Sequence, residues 1–437
     1  MPTLAAFSIL ALTVSLSLVR PRIGRWRIHH AQAGIIGAVL TVATGVIPLE
    51  LLGVAARLLA IPVITIVSLM VITLVADKAG LFGILASQLA RRARGNGRAL
   101  FASLFFTGTL VGTVFTNDAA VLIFTPLVFD LVERIAGEDW GIQKKLPFYF
   151  AVLYVANLVG ALVIANPINI VVSSLFKIGF VEYARWMLLP AAVSVAVSYA
   201  GLQLFFRRSI PERFDLPEDM KHAAPWTALQ RVCGAVLLLT LLGFFVEPWS
   251  RVPTWVVAVG GALVMLAVRA GIARRGVGPV FRGVGWDVLI FLCAMFIVGM
   301  GLRSVGFTHV LGRALADVSA GDPARLRVAA GVLAATCSAI INNHPTADMM
   351  AWVIQDFSLP ILDQKVLAFA ALIGGDLGPK MLPIGSLAAL MWFRLLRDRG
   401  VEIPYSLYVK IGVPVTLAAL LASLATLNLE VWFAGGI

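Results

Sequence analysis

Apolar runs long enough to cross a bilayer recur along this chain of 437 residues, and two stretches too long for a single crossing are interrupted by amides, acids and a histidine. A membrane-spanning helix needs about 17–25 consecutive apolar residues. Candidate spans cover 3–19, 31–48, 58–76, 147–178 and 184–206, then 229–247, 252–270, 286–303, 366–396 and 405–428. The stretches 99–134 and 325–357 carry Thr116-Asn117-Asp118 and Asn342-Asn343-His344 near their centres and read as helical hairpins. Polar groups at that depth belong to surfaces that face protein, water or a ligand. Segments 78–92 and 304–318 are shorter and amphipathic, suited to lie at the interface.

Composition removes the alternatives. Hydrophobic residues make up 60% of the chain and charged residues 13%, about half the charge of a soluble protein. The longest polar stretch is a loop, so no soluble domain fits between the spans. The net charge of +12 resembles a nucleic-acid footprint in size alone. The basic residues lie in loops between spans, where the positive-inside rule puts them, so nucleic acid is not an expected partner. Cys233, Cys293 and Cys337 sit in apolar stretches without ligand spacing, which predicts neither a disulfide framework nor a metal site. The first span lacks a basic start and a cleavage signature, and reads as a retained helix.

The two polar breaks belong to a repeat. An offset of 226 maps Asn117 onto Asn343, Gly80 onto Gly306 and Leu81 onto Phe307. The chain divides into a first copy, 1–206, a connecting loop, 207–228, and a second copy, 229–437. Placing the loop after the first span inside, and letting both hairpins re-enter, collects 24 of the 35 basic residues on the cytoplasmic side. Each copy then has five crossings, an odd number, so the second enters from the opposite face. The expected fold is an all-α polytopic membrane protein. It is an inverted repeat of five spans plus one re-entrant hairpin each, with broken helices at the midplane. Such repeats place a secondary transporter's site where the halves meet.

Two spans carry breaks of their own. Pro167 interrupts ANPINIV at 165–171, and the glycines and prolines of GGDLGPKMLPIGS at 374–386 exclude a continuous helix. Aligning Pro167 with Pro383 gives an offset of 216. Hairpin tips and broken spans together are expected to build one lining. Thr116, Asn117, Asn166, Asn169, Asn342, Asn343, Thr346 and Ser386 supply hydroxyls and amides, which suit a small polar solute. Asp118, Asp376, His344 and Lys380 are the candidates for coupling a proton. Asp376 and Lys380, four residues apart, are expected to face each other and neutralise one another, or Lys380 to present a fixed charge. Asp348 and His344 have the alternative of bonding a helix end. No nucleotide, cofactor, zinc-protease or serine-hydrolase motif is present, which predicts a transporter and not an enzyme, with no cofactor.

The runs TNDAAVLIFTP, ANPINIV, SAIINNHPT and above all GGDLGPKMLPIGSLAALMW resemble the bacterial arsenite/antimonite permeases, the arsenical pump membrane proteins of the ion-transporter superfamily. The resemblance extends over nearly the whole chain, and DLGPK…PIGSLA at 376–388 is its most specific part. It implies export of arsenite and antimonite as neutral trihydroxides in exchange for protons, across the cytoplasmic (inner) membrane of a prokaryote. In some operons the family works with a cytosolic ATPase subunit. Carried over by motif, Asn117, Asp118, Asn166, Asn169, Asn342, Asn343, Asp376 and Ser386 line the pathway. Gly375 stands where some members have Cys, and His344 where apolar residues are usual. Alternatives within the architecture are a sodium/proton antiporter or a small-anion (carboxylate) transporter. A channel, or a membrane anchor for a cytosolic ATPase, is a different class and would show no counterflow.

Overall fold

The computed structural model describes residues 2–23, 26–137, 140–155, 158–221 and 225–435; within them, the side chains of 22, 23, 26, 27, 117–119, 219, 221 and 387 lie outside the description. Among these residues the chain is helical apart from a two-residue hairpin pairing 22–23 with 26–27 and an isolated bridge between Asn96 and Arg213. Nine described helices are long and apolar enough to cross a membrane, and His30–Ala43 is a shorter apolar one. Large apolar side chains point outward all round: Leu110, Leu204, Leu239 and Leu263 are each more than 60% exposed. Water would not tolerate that surface on a monomer, and lipid does. Internal helix hydrogen bonds satisfy the backbone where no water is at hand.

Most expected boundaries shift by up to about five residues, and two shifts change the layout of the second and third spans. The second span ends at Ala43, short of 48, because the chain turns at Thr44–Pro48. The third begins at Glu50 and not at 58, running 29 residues to Lys78 with Pro62 inside it.

Matching features recur at the offset of 226. Gly80 and Gly306 both hold left-handed backbone, φ +78° and +79°, before amphipathic helices Leu81–Arg92 and Phe307–Ser319. Only glycine takes that conformation without cost. Asn96 and Asp322 both cap the outgoing hairpin arms, Gly97–Val114 and Pro323–Ile341. Thr116 and Asn342 both precede the returning arms, Asn117–Ala136 and Asn343–Gln355.

Both hairpins fold back. Phe101 on the first outgoing arm packs edge-on against Phe148, and Phe129 on the returning arm stacks on Tyr149. Phe148 and Tyr149 are neighbours, so the two ends of that hairpin reach the same end of the bundle. In the second, the outgoing arm runs parallel to helix Ile361–Leu377. Gly331 approaches the Ala370 carbonyl, and Ser338 Oγ donates to the Gly375 carbonyl at 2.9 Å. That helix starts six residues after the returning arm ends, which brings the arm's end back beside its origin.

The breaks in the two interrupted spans correspond more closely than their prolines do. Leu162, a 3₁₀ turn at Val163–Ala165 and extended Asn166 lead into helix Pro167–Leu175. Leu382, a 3₁₀ turn at Pro383–Gly385 and extended Ser386 lead into Leu387–Arg397. The offset is 220, and the proline alignment at 216 is off by one helical turn. Proline fits both the start of a 3₁₀ turn and the first position of a helix, since neither needs its N–H. It is therefore a poor marker of register.

Each returning hairpin arm packs on the half-helix in the other half of the chain: Asn117–Ala136 on Leu387–Arg397, and Asn343–Gln355 on Pro167–Leu175. The long helices Phe180–Phe206 and Tyr405–Phe433 pack antiparallel, with Gly201 against Val415 and Ser423 Oγ donating to the Pro190 carbonyl at 3.0 Å.

Candidate functional site

Half-helices that end inside a bundle leave backbone N–H groups to be satisfied, and several of the expected site residues do that work. Asn166 Oδ1 accepts from the Ile168 N–H at 3.3 Å, Ser386 Oγ from the Ala389 N–H at 3.0 Å, and Asn342 Oδ1 from the His344 N–H at 3.2 Å. Thr346 Oγ1 donates to the Asn342 carbonyl at 2.8 Å. Asn342 itself holds φ +83°, a conformation costly for any residue but glycine, so the backbone is strained at the second tip. Asn343 is half-buried at the first helical position.

Asp376 is fully buried and joins the two repeats. One carboxylate oxygen accepts from the Gly160 N–H at 2.9 Å and from Asn169 Nδ2 at 3.3 Å; the other accepts from Asn166 Nδ2 at 2.6 Å. A side chain at Gly160 would collide with the Asn169 amide, so the clamp needs glycine there. Lys380 remains a charge neighbour of Asp376, as the spacing suggested, but makes no hydrogen bond to it. Its Nζ has no hydrogen-bond partner and stands 4.9 Å over the Tyr154 ring. The four-residue spacing aligns side chains only along a continuous α-helix. Here the helix stops at Leu377 and tightens into a 3₁₀ turn at Gly378–Lys380, where the side-chain register of an α-helix no longer holds.

What stays uncommitted is more telling. Thr116 Oγ1, Asn169 Oδ1, His344 Nδ1 and Lys380 Nζ are all buried without a hydrogen-bond partner. Asn117 and Asp118 open the first returning arm, but their side chains lie outside the described residues. Thr116 lines a cavity of about 430 Å³ whose walls come from both repeats. Arg20, His29 and Arg394 line it together with Thr73, Thr116, Leu122 and Val288. His30 Nε2 lies 3.2 Å from Asp287 Oδ2 on its wall.

A family profile for the arsenical pump membrane protein matches residues 4–433. An arsenical pump membrane protein of Escherichia coli is 33% identical over 434 residues, covering 98% of this chain and 99% of its own. One from Yersinia enterocolitica is 32% identical with the same coverage. The chain belongs to the arsenical pump membrane protein family. Two solved structures share its fold. The YdaH transporter of Alcanivorax borkumensis has TM-score 0.59 at 17% identity, over 100% of this chain and 99% of that one. MtrF of Neisseria gonorrhoeae, described as one of a class of antimetabolite efflux pumps, has TM-score 0.53 at 16%, over 98% and 94%. This arsenical pump is thus a multi-pass transporter of the bacterial inner membrane.

Trivalent arsenic favours soft thiolate ligands, which makes the cysteines of an arsenical pump worth placing. Cys233 is buried, Cys293 and Cys337 are half-buried, and none lines the cavity. Among the described residues no three His, Cys, Asp or Glu side chains come together as a ligand set. A variant with all three replaced by alanine is expected to confer arsenite resistance within about twofold of the parent, since a free buried cysteine acts as a small hydrophobe. Resistance assays in a host without its own exporter check this.

Sequence reading missed Gly160, Tyr154, His30 and Asp287. Gly160 and Tyr154 lie in unremarkable apolar sequence, and their roles arise from residues more than 200 positions away. His30 sits in a basic loop whose charge the positive-inside rule already explained.

Proposed function

We propose that this arsenical pump exports arsenite and antimonite, as neutral trihydroxides, from the cytoplasm in exchange for protons. The observation that carries the reading is the cavity lined both by Arg20, His29 and Arg394 and by Thr116, whose hydroxyl at the first hairpin tip is uncommitted. The charge bias of the loops puts those basic residues on the cytoplasmic side. Apart from the His30–Asp287 pair, the rest of the wall is hydroxyl and apolar, with Thr73, Leu122, Ile123 and Met391. Such a surface suits an uncharged polyol-like solute and offers no fixed cation at depth for a dicarboxylate.

Two inverted repeats supply the alternation. The antiparallel packing of the last helix of each half supports opposite orientations, and the matched breaks support two equivalent half-sites. The first hairpin re-enters from the cytoplasm and the second from outside. Asp118, one residue into the returning arm, carries the proton beside the substrate. His344 and Lys380 hold buried nitrogens at the second tip and second break, and Asp376 ties the breaks together as they move.

Everted membrane vesicles test the exchange. Arsenite uptake is expected to rise when the lumen is made acidic and to collapse when a protonophore dissipates the gradient. Uptake indifferent to the gradient overturns the proton coupling. The arginines at the cavity mouth favour one other reading, a small-anion carrier. Citrate and sodium offered to the same vesicles separate it, since this arsenical pump is expected to ignore both.

A further inference from the structure

The returning arm of the second hairpin carries a buried polar line that the exchange as stated does not use. His344, Asp348, Trp352 and Asp356 recur every four residues, which stacks them on one face of a helix. The first three are at most 5% exposed, and His344 Nδ1, Asp348 Oδ2 and Trp352 Nε1 each lack a hydrogen-bond partner. A buried polar atom left unpaired costs free energy, and three in line along one helix face call for an explanation.

The facing wall is helix Trp286–Ser304, which runs parallel to the line. Phe291 meets the His344 ring at 6.2 Å, and Gly299 faces Asp348 and Trp352. A Cβ at Gly299 would stand 3.6 Å from the Asp348 Cβ and 3.8 Å from Trp352 Nε1, so this wall leaves room beside the carboxylate. Arg303 closes the far end. Its guanidinium lies 4.6 Å over the Trp352 ring and donates to Asp356 Oδ1 at 2.9 Å. Asp356 also accepts from Thr308 Oγ1 at 2.5 Å and borders a cavity of about 450 Å³ with His309 and Arg313. At the near end Phe291 also meets His30, with ring centroids 5.7 Å apart, and His30 lines the cytoplasmic cavity.

We propose that Asp348 is a proton-binding carboxylate, loaded from the outer face along the Trp352–Asp356 end of this line and unloaded past His344 toward the cytoplasmic cavity. The inference rests on the proton-exchange reading and adds a site to it. In one cycle Asp348 Oδ2 takes a proton from the outer side, becoming a neutral acid. It releases the same proton inward when the hairpin reorients, regenerating the carboxylate. The titratable and charged groups facing it are the Cys293 thiol on the opposite helix, His344 one turn below and, beyond Trp352, Arg303. The Arg303–Asp356 contact is the outer plug: while it stands over Trp352 the line is closed to the outside.

The test compares two rates in everted vesicles containing the full chain: arsenite uptake driven by an acidic lumen, and arsenite counterflow without a gradient. In Asp348→Asn the ratio of driven uptake to counterflow is expected to fall about tenfold or more, and Asp348→Glu is expected to recover most of it. A wild-type ratio in Asp348→Asn overturns the proposal. Should Asp348→Asn lose counterflow altogether, Trp352→Phe, which keeps an aromatic ring and removes the indole N–H, carries the same comparison: a lowered ratio supports the line and an unchanged one overturns it. If the wild-type chain shows no response to the gradient, the exchange reading fails separately. Dicyclohexylcarbodiimide, which modifies protonated buried carboxyls, then decides for Asp348. Peptide mapping is expected to find the adduct at Asp348, increased in Arg303→Ala, and its absence there overturns the assignment.

Discussion

Gly374→Ala is expected to abolish the folded transporter. A Cβ at Gly374 would overlap the Gly331 carbonyl oxygen and stand 2.9 Å from the Ala335 backbone nitrogen. The obstacles are backbone atoms of a neighbouring helix, which cannot rotate aside as a side chain does. Helices in lipid gain little from burying apolar surface against each other, so close backbone approach through small residues is what holds them. Separating Pro323–Ile341 from Ile361–Leu377 to admit the methyl would loosen this whole seam, where Ser338 and Gly375 also meet. Overpacking of a tight interior costs about 1–3 kcal/mol where side chains can adjust, and here they cannot. The expected result is aggregated protein in detergent extracts, read by size-exclusion chromatography. Gly260→Ala is the control, because a Cβ at Gly260 would meet nothing within 4 Å, and it is expected to behave as the parent. A monodisperse Gly374→Ala protein would show that this seam does not set the fold.

Asp376→Ala is the second large effect. The substitution strands three buried donors at once: the Gly160 N–H and the amides of Asn166 and Asn169. A hydrogen bond to a charged group contributes about 1.5–3 kcal/mol, so the loss exceeds that of an ordinary buried polar substitution. Asp376→Asn keeps the shape and one acceptor oxygen, and is expected to fold but to transport poorly, because its NH₂ must face one of the three donors. Thermal unfolding in detergent is expected to rank the parent above Asp376→Asn and Asp376→Ala lowest. Equal midpoints for all three would mean that the clamp carries no stability. The clamp spans the repeats, so its loss is also expected to depress counterflow, not only the response to a proton gradient.

Much of the architecture was legible because its causes are local. Span positions follow from runs of apolar residues, and the hairpins from polar tips within runs too long for one crossing. The offset of 226 is borne out at Gly80 and Gly306 because a left-handed residue before a helix demands glycine in both copies. The offset at the interrupted spans was misread because proline marks two different helix-start positions. Asp376 and Lys380 stay electrostatic neighbours without a hydrogen bond between them, because the helical spacing that would bring them into contact ends at Leu377. Asn166, Asn342 and Ser386 were all correctly expected at breaks, yet each commits an oxygen to capping the helix it begins.

Order, polarity and small-residue placement along the chain suffice for how many helices form, where they break and which residues lie deep, since these depend on neighbours within a few turns. Which donors Asp376 receives, that Lys380 Nζ sits over the Tyr154 ring, and that His30 meets Asp287 were decided only when the two halves packed. Those contacts join residues from about 200 to over 250 positions apart, and their geometry is set by the crossing of helices, a property that no local stretch of sequence carries.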